Sequence, residues 1–135
     1  MYLHLNLEEA NKILQGAASL FMRIGIKSVS MDDIAREIGV SKKTIYKHYS
    51  DKKELVLRVI EADHRNEMKA CEECYKTGEN AVQKMIDISR HISNHHRDTN
   101  LTVLYDLQKY YPEAWDRVSE FQKEFIQHAI GQNIE

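Results

Sequence analysis

Gly39 separates two short amphipathic patterns so tightly that residues 30–49 have few folds open to them. Before it, Ser30 is placed to cap a helix, and Asp32 and Asp33 suit the positive end of its dipole. Asp33 stands where a capping box puts its acid. Ile34, Ala35 and Ile38 form the apolar side of that helix. After Gly39, Val40 can plug the space between the helices and Ser41 can cap the second one. Ile45 and Tyr49 lie four apart and share an inward face. Lys42, Lys43, Thr44, Tyr46, Lys47 and His48 are left outward, a set suited to phosphates and base edges. Helix, glycine turn and capped second helix is the helix-turn-helix pattern, with the second helix as the reader.

The remainder of the 135-residue chain suits helices throughout. Five glycines and one proline leave little room for β-turns, and the expected fold class is all-α. The net charge of −2 is unevenly spread: residues 1–60 carry +3 and residues 61–135 carry −5. Five lysines against one aspartate fall within residues 42–53, so the basic character is local, as in a module that docks one face on an anion. Two cysteines point to a reducing cytoplasm rather than a disulfide framework. No apolar run approaches the roughly 18 residues of a membrane span.

In chain order, residues 1–7 alternate apolar and polar and are expected to form a loose arm. Apolar positions from Ala10 through Ile13, Leu14, Ala17, Leu20 and Phe21 to Ile24 recur at three and four and predict a helix ended by Gly25. A third helix start comes at Ser50, the expected cap. Lys52 and Lys53 there place positive charge on the positive end of a helix, a sensible arrangement if an outside anion binds. This helix runs some 25 residues and is expected to connect two domains. Breaks at Thr77-Gly78-Glu79-Asn80 and at Arg97-Asp98-Thr99-Asn100 bound a helix from Ala81 to about His96, with Val82, Met85, Ile86 and Ile88–Ile92 facing in. Leu101, Leu104, Tyr105 and Leu107 are the expected inner face of the next helix. Pro112 opens the last helix, with Trp115, Val118, Phe121, Phe125, Ile126 and Ala129 as its stripe.

Residues 9–58 resemble the DNA-binding domain of the TetR/AcrR family of bacterial transcriptional regulators. The resemblance runs through Ile13, Ala17, Ala18, Phe21 and Gly25. It continues through Ser30, Ile34, Ala35, Gly39, Val40, Ser41, Thr44, Tyr46, His48, Tyr49, Lys52 and Leu55 at the family's spacing. Tyr49 stands where the family more often has phenylalanine. Beyond it, the run from Leu104 to Trp115 is similar to the family's mid-domain helix junction. The resemblance implies three parts: a helix-turn-helix domain over 1–51, a connector helix over 52–76, and a partial ligand-binding and dimerisation domain over 77–135. It implies a homodimer on a palindromic double-stranded operator, released by a small apolar or amphipathic effector. The two C-terminal helices that form the family's dimer interface have no counterpart in this sequence, so either a truncated chain or another mode of dimerisation is expected.

By the same resemblance, Ser30 and Lys52 would bind phosphates at helix N-termini. Thr44, Tyr46 and His48 would contact backbone or base edges, and Lys42, Lys43 and Lys47 would be the variable readers. Residue type alone leaves open a core role for Tyr46, a packed or capping role for His48, and a capping or filling role for Thr44. Met85, Tyr105, Tyr110, Trp115 and Phe121 are candidates to line an effector pocket. No cofactor and no metal is expected. The alternatives are a helical protein–protein interaction module without DNA binding, and a metal-responsive regulator using Cys71 and Cys74 with His64, His91 and His95, His96 lying beside them. No phosphate loop, nucleophile elbow or paired-carboxylate pattern points to an enzyme.

Overall fold

The computed structural model describes residues 2–77, 79–98 and 100–134, the side chains of residues 2, 96, 98, 129–130 and 132–134 excepted. Seven helices follow in order: α1 (Tyr2–Ile24), α2 (Met31–Ile38), α3 (Lys42–His48), α4 (Lys52–Thr77), α5 (Ala81–Asp98), α6 (Leu101–Tyr110) and α7 (Pro112–Ile134). No strand occurs among the described residues, in agreement with the all-α expectation.

Helices α1, α2, α3 and the start of α4 enclose one core. Ile13, Phe21, Ile34, Ile45 and Leu55 are among its fully enclosed members, one or more from each helix. The turns are set by glycine. Gly39 takes φ 81°, and its N–H donates to the Ala35 carbonyl, closing α2 in the left-handed cap expected of it. Gly25 takes φ 102° at the end of α1 and donates to Phe21 O. A Cβ at Gly25 would also stand 2.9 Å from Thr102 and 3.2 Å from Asp106, so α6 approaches the backbone there.

The expected arm at residues 1–7 is instead helical from Tyr2 onward; Met1 lies outside the described residues. The packed segment after Ile13 supplies the nucleus. Each further residue then adds one hydrogen bond, and no glycine or proline intervenes before Gly16. Leu3, Leu5 and Leu7 stay more than half exposed, and so does Ile24, which does not join the inner stripe.

The second half packs around α4. Both α5 and α7 lie along its far part, while α6 bridges α1 and α7. Its inner faces differ from expectation. On α5, Ile88 is buried while Val82, Met85 and Ile86 are exposed. On α6 the buried side is Val103, Asp106 and Leu107, with Leu101 and Tyr105 outward. On α7, Ala114 is buried and Ile126 is exposed, while the side chain of Ala129 lies outside the described residues. The apolar arc of each helix is wider than the strip that is buried, so periodicity alone does not select the packed face. Helix α5 also runs on through the expected break, as far as Asp98.

Candidate nucleic-acid interface and effector cavity

Helix α3 is held at both ends. The Ser41 Oγ accepts from Thr44 N at 3.1 Å and lies 2.9 Å from Thr44 Oγ1, so the Thr44 hydroxyl is committed to the cap. At the other end Tyr49 is buried and its hydroxyl donates to the Ala10 carbonyl of α1 at 2.9 Å. That bond accounts for a tyrosine where phenylalanine is the commoner choice. Burial raises its phenol pKa. The capping box on α2 is complete: Ser30 Oγ accepts from Asp33 N at 3.0 Å, and Ser30 N donates to Asp33 Oδ2 at 2.9 Å.

The eight candidate contact residues divide on inspection. Lys43 and Lys47 are exposed and Tyr46 is 47% exposed, so these three form the open face of α3. Lys42 is exposed but pairs with Asp32 of α2 at 3.2 Å. Ser30 is exposed as part of its capping box. His48 departs from the outward set. Its side chain is only 10% exposed, and its Nε2 lies 2.6 Å from Glu9 Oε1 on α1. Four residues after Thr44 and next to buried Tyr49, the ring lands at the joint with α1, the packed alternative noted for it. The hydrogen bond to His48 is the main cause holding the Glu9 carboxyl below its ordinary pKa.

Lys52 also departs from its expected position. Its ammonium turns inward, donates to the Ile26 carbonyl at 2.7 Å and lies 6.0 Å from the Tyr111 ring centroid. Burial lowers its pKa, while Asp106 and Asp33 oppose the shift. Charge against the helix dipole is thus compensated from within the molecule. The α4 cap is Asp51, whose Oδ1 accepts from Glu54 N at 2.8 Å; Ser50 instead donates to the Glu54 carboxylate through its N–H and hydroxyl.

Lys52 belongs to a polar joint between the two halves that the sequence reading did not find. Asp106 of α6 is 4% exposed, and its Oδ2 accepts from the backbone N–H of Ile26 at 2.9 Å and of Lys27 at 3.0 Å. Lys27 Nζ donates to Tyr110 OH at 2.9 Å, and Asn100 Nδ2 donates to the Met22 carbonyl at 3.1 Å. The only signal in the sequence is an acid between the apolar Leu104 and Leu107 on a short helix. Its two partners lie about eighty positions away in the chain.

A cavity of about 490 Å³ lies between α1, α4, α5, α6 and α7. Its wall includes Phe21, Val59, Val103, Leu107 and Phe121, with Asp63, His64, Glu67 and His95 supplying polar groups. Of the five candidate lining residues, only Phe121 takes part. Tyr110 borders a separate groove with Lys27, Lys52 and Lys53. Met85 and Tyr105 are more than half exposed, and Trp115 packs against the main core.

The two cysteines do not gather the histidines. Cys71 is buried, and burial first, then the Glu67 and Cys74 charges, push its thiol pKa up to about 11. His64 stacks on Phe121 with ring centroids 3.8 Å apart. His91 is partly buried, and the side chain of His96 lies outside the described residues. His95 Nε2 lies 3.3 Å from Asp63 Oδ2.

Residues 13–59, the core just described with both of its capped helices, match the model of the family of bacterial regulatory proteins named for TetR. The helix-turn-helix part of the chain belongs to the TetR family. The chain is 33% identical over 99 residues to the HTH-type transcriptional regulator YvaF of Bacillus subtilis, an alignment covering 72% of this chain and 52% of that one. Across the first curated relatives it matches, the chain spans between about a third and a half of their length. In fold it is similar to SCO4454, a TetR-family transcriptional regulator from Streptomyces coelicolor, with a TM-score of 0.78 and 22% identity over 90% of this chain and 68% of that one. It is also similar to the superantigen PfiT, with a TM-score of 0.75 and 18% identity over 92% of this chain and 70% of that one. No described helix is long and apolar enough to cross a membrane.

Proposed function

We propose that the protein is a cytoplasmic, DNA-binding transcriptional repressor that acts as a homodimer and is released by a small ligand. The observation that carries this is the open face of α3, where Lys43, Tyr46 and Lys47 project from a helix fixed at both ends. A rigid helix of that kind suits the major groove, where lysine can donate to guanine O6 and N7 and tyrosine to phosphate. Lys42 serves as a flanking backbone contact, while Thr44 and Ser30 act chiefly through their caps. His48 positions α3 through Glu9, and Lys52 acts mainly at the joint. Two copies would present their readers to half-sites about 34 Å apart.

The cavity supports the effector reading, since about 490 Å³ falls within the range of small-molecule sites. An apolar or amphipathic ligand there would press on Val103 and Leu107. Asp106 on the same short helix holds the amides of Ile26 and Lys27, so movement of α6 reaches the turn between α1 and α2. The ligand then favours a dimer geometry whose readers no longer match the operator.

Fluorescence anisotropy with labelled duplex tests the DNA reading. Log affinity is expected to fall with log salt at roughly −0.9 per phosphate neutralised. Lys43→Ala and Lys47→Ala are expected to change sequence preference, whereas Lys52→Ala mainly loosens the joint. A dimeric protein showing no salt-dependent duplex binding overturns the proposal.

A further inference from the structure

We propose that Asp63, Glu67 and His95 form a binding site for a first-row divalent cation on the wall of the cavity. Asp63 and Glu67 are one turn apart on α4 and share a face. His95 comes from α5, so the set joins two helices. One donor atom from each lies within 4.8 Å of the others. Metal–ligand bonds of about 2.0–2.2 Å bring such donors to one ion with small side-chain adjustment.

Two further observations point to a cation. Glu67 is partly buried, yet its carboxylate has no ion-pair or hydrogen-bond partner among the described residues. All three residues line the cavity, so an ion held there keeps an open coordination position toward an apolar space. One turn back on α5, His91 keeps a buried Nε2 without a partner, an uncommitted donor on the same helix face. One imidazole and two carboxylates suit zinc, cobalt, iron or manganese in the divalent state better than a soft monovalent ion. The ion would clamp α5 to α4 beside the effector space. Neither cysteine is among the donors gathered there.

The test is a titration of the full chain, freed of metal with chelator, with Zn²⁺ by calorimetry and with Co²⁺ by visible absorption. Expected is one saturable ion per chain, with a cobalt spectrum lacking an intense thiolate band. His95→Ala and Glu67→Gln should each weaken binding by at least about tenfold, and Cys74→Ser should leave it unchanged. Paramagnetic broadening by Co²⁺ of amide signals around residues 63, 67 and 95 in the wild-type protein gives the same answer without relying on variants. Absence of saturable binding, a thiolate band, or broadening centred elsewhere overturns the site. No arm involves DNA, so failure here is distinct from failure of the repressor reading.

Discussion

The helix-turn-helix unit and the helices that follow it solve different physical problems with the same secondary structure. In the first, side chains or glycines close the ends of α2 and α3, and every helix sends an aliphatic or aromatic residue into one solid core. In the second, α5–α7 wrap a hollow and leave Val82, Met85, Ile86 and Ile126 exposed. A reader must present its side chains in one fixed geometry, which favours a dense, capped unit. A responsive element has to shift under a ligand's small differential affinity, which favours sparse packing at the low end of local stability. The joint at Asp106 sits between the two regimes and is the route by which one can act on the other.

Replacing enclosed Ile34 in the first half and exposed Met85 in the second tests this comparison most sharply. Ile34→Ala is expected to cost about 2–5 kcal/mol in urea unfolding, because the core around it cannot close the void. Met85→Ala, at an exposed position of α5, should stay within about 0.5 kcal/mol. Equal losses at the two positions would show that the second half is as tightly packed as the first.

Next in size is the joint. Asp106→Ala strands two backbone N–H groups and removes the carboxylate that faces Lys52. About 2–3 kcal/mol of stability should be lost on thermal or denaturant unfolding, since an unsatisfied buried donor costs about 1–3 kcal/mol. More telling is the coupling. If α6 carries the signal, the variant should still bind duplex but lose most of the ligand's effect on that binding. Unchanged ligand response in a folded Asp106→Ala protein would remove the joint from the mechanism.

The same contrast decided what could be read from the chain alone. Ser30, Gly39 and Ser41 act within a few residues of themselves, so their caps and turn are visible in local spacing. Ile45 and Tyr49 could be placed for the same reason. Asp106 was invisible because its partners lie about eighty positions away and a carboxylate on a helix ordinarily faces water. Lys52 stands out in the sequence as a charge against the helix dipole, which suggests an outside anion; the group its ammonium meets is Ile26 O, out of reach of local spacing. Met85, Tyr105, Tyr110 and Trp115 stand outside the wall of the cavity, which Phe121 joins, because apolar type at helical spacing does not say which helix face the cavity meets. Selecting the face of α5 or α6 required knowing which helix it packs against. The connector helix was found close to its true bounds, since no breaker occurs between Lys52 and Thr77.

A smaller effect tests whether local caps stabilise the reader unit. Ser30→Ala removes the acceptor for Asp33 N and half of the capping box, and should cost about 1 kcal/mol. Introducing Asp or Asn at the same position should recover most of it. Loss of DNA binding well beyond that change in stability would mean that Ser30 also meets phosphate.

The smallest expected effect is with acid, and its sign is fixed by three carboxyls of the first half. Glu9 is held below its ordinary pKa chiefly by the hydrogen bond to His48, Asp33 by those from Ser30, and Glu54 by those from Ser50. A carboxyl lowered in the folded state contributes stability that is complete above its unfolded pKa, about 4, and is lost as pH falls through the folded value. All three groups face solvent and are screened, so each contributes little. Unfolding midpoints should therefore be flat from neutral pH to about pH 5 on account of these groups and decline below about pH 4. Replacing Glu9, Asp33 and Glu54 by their amides should flatten that decline. If the triple variant declines as steeply as the wild type, the acid-sensitive contacts lie in the second half, and the capped reader unit is not where protonation acts.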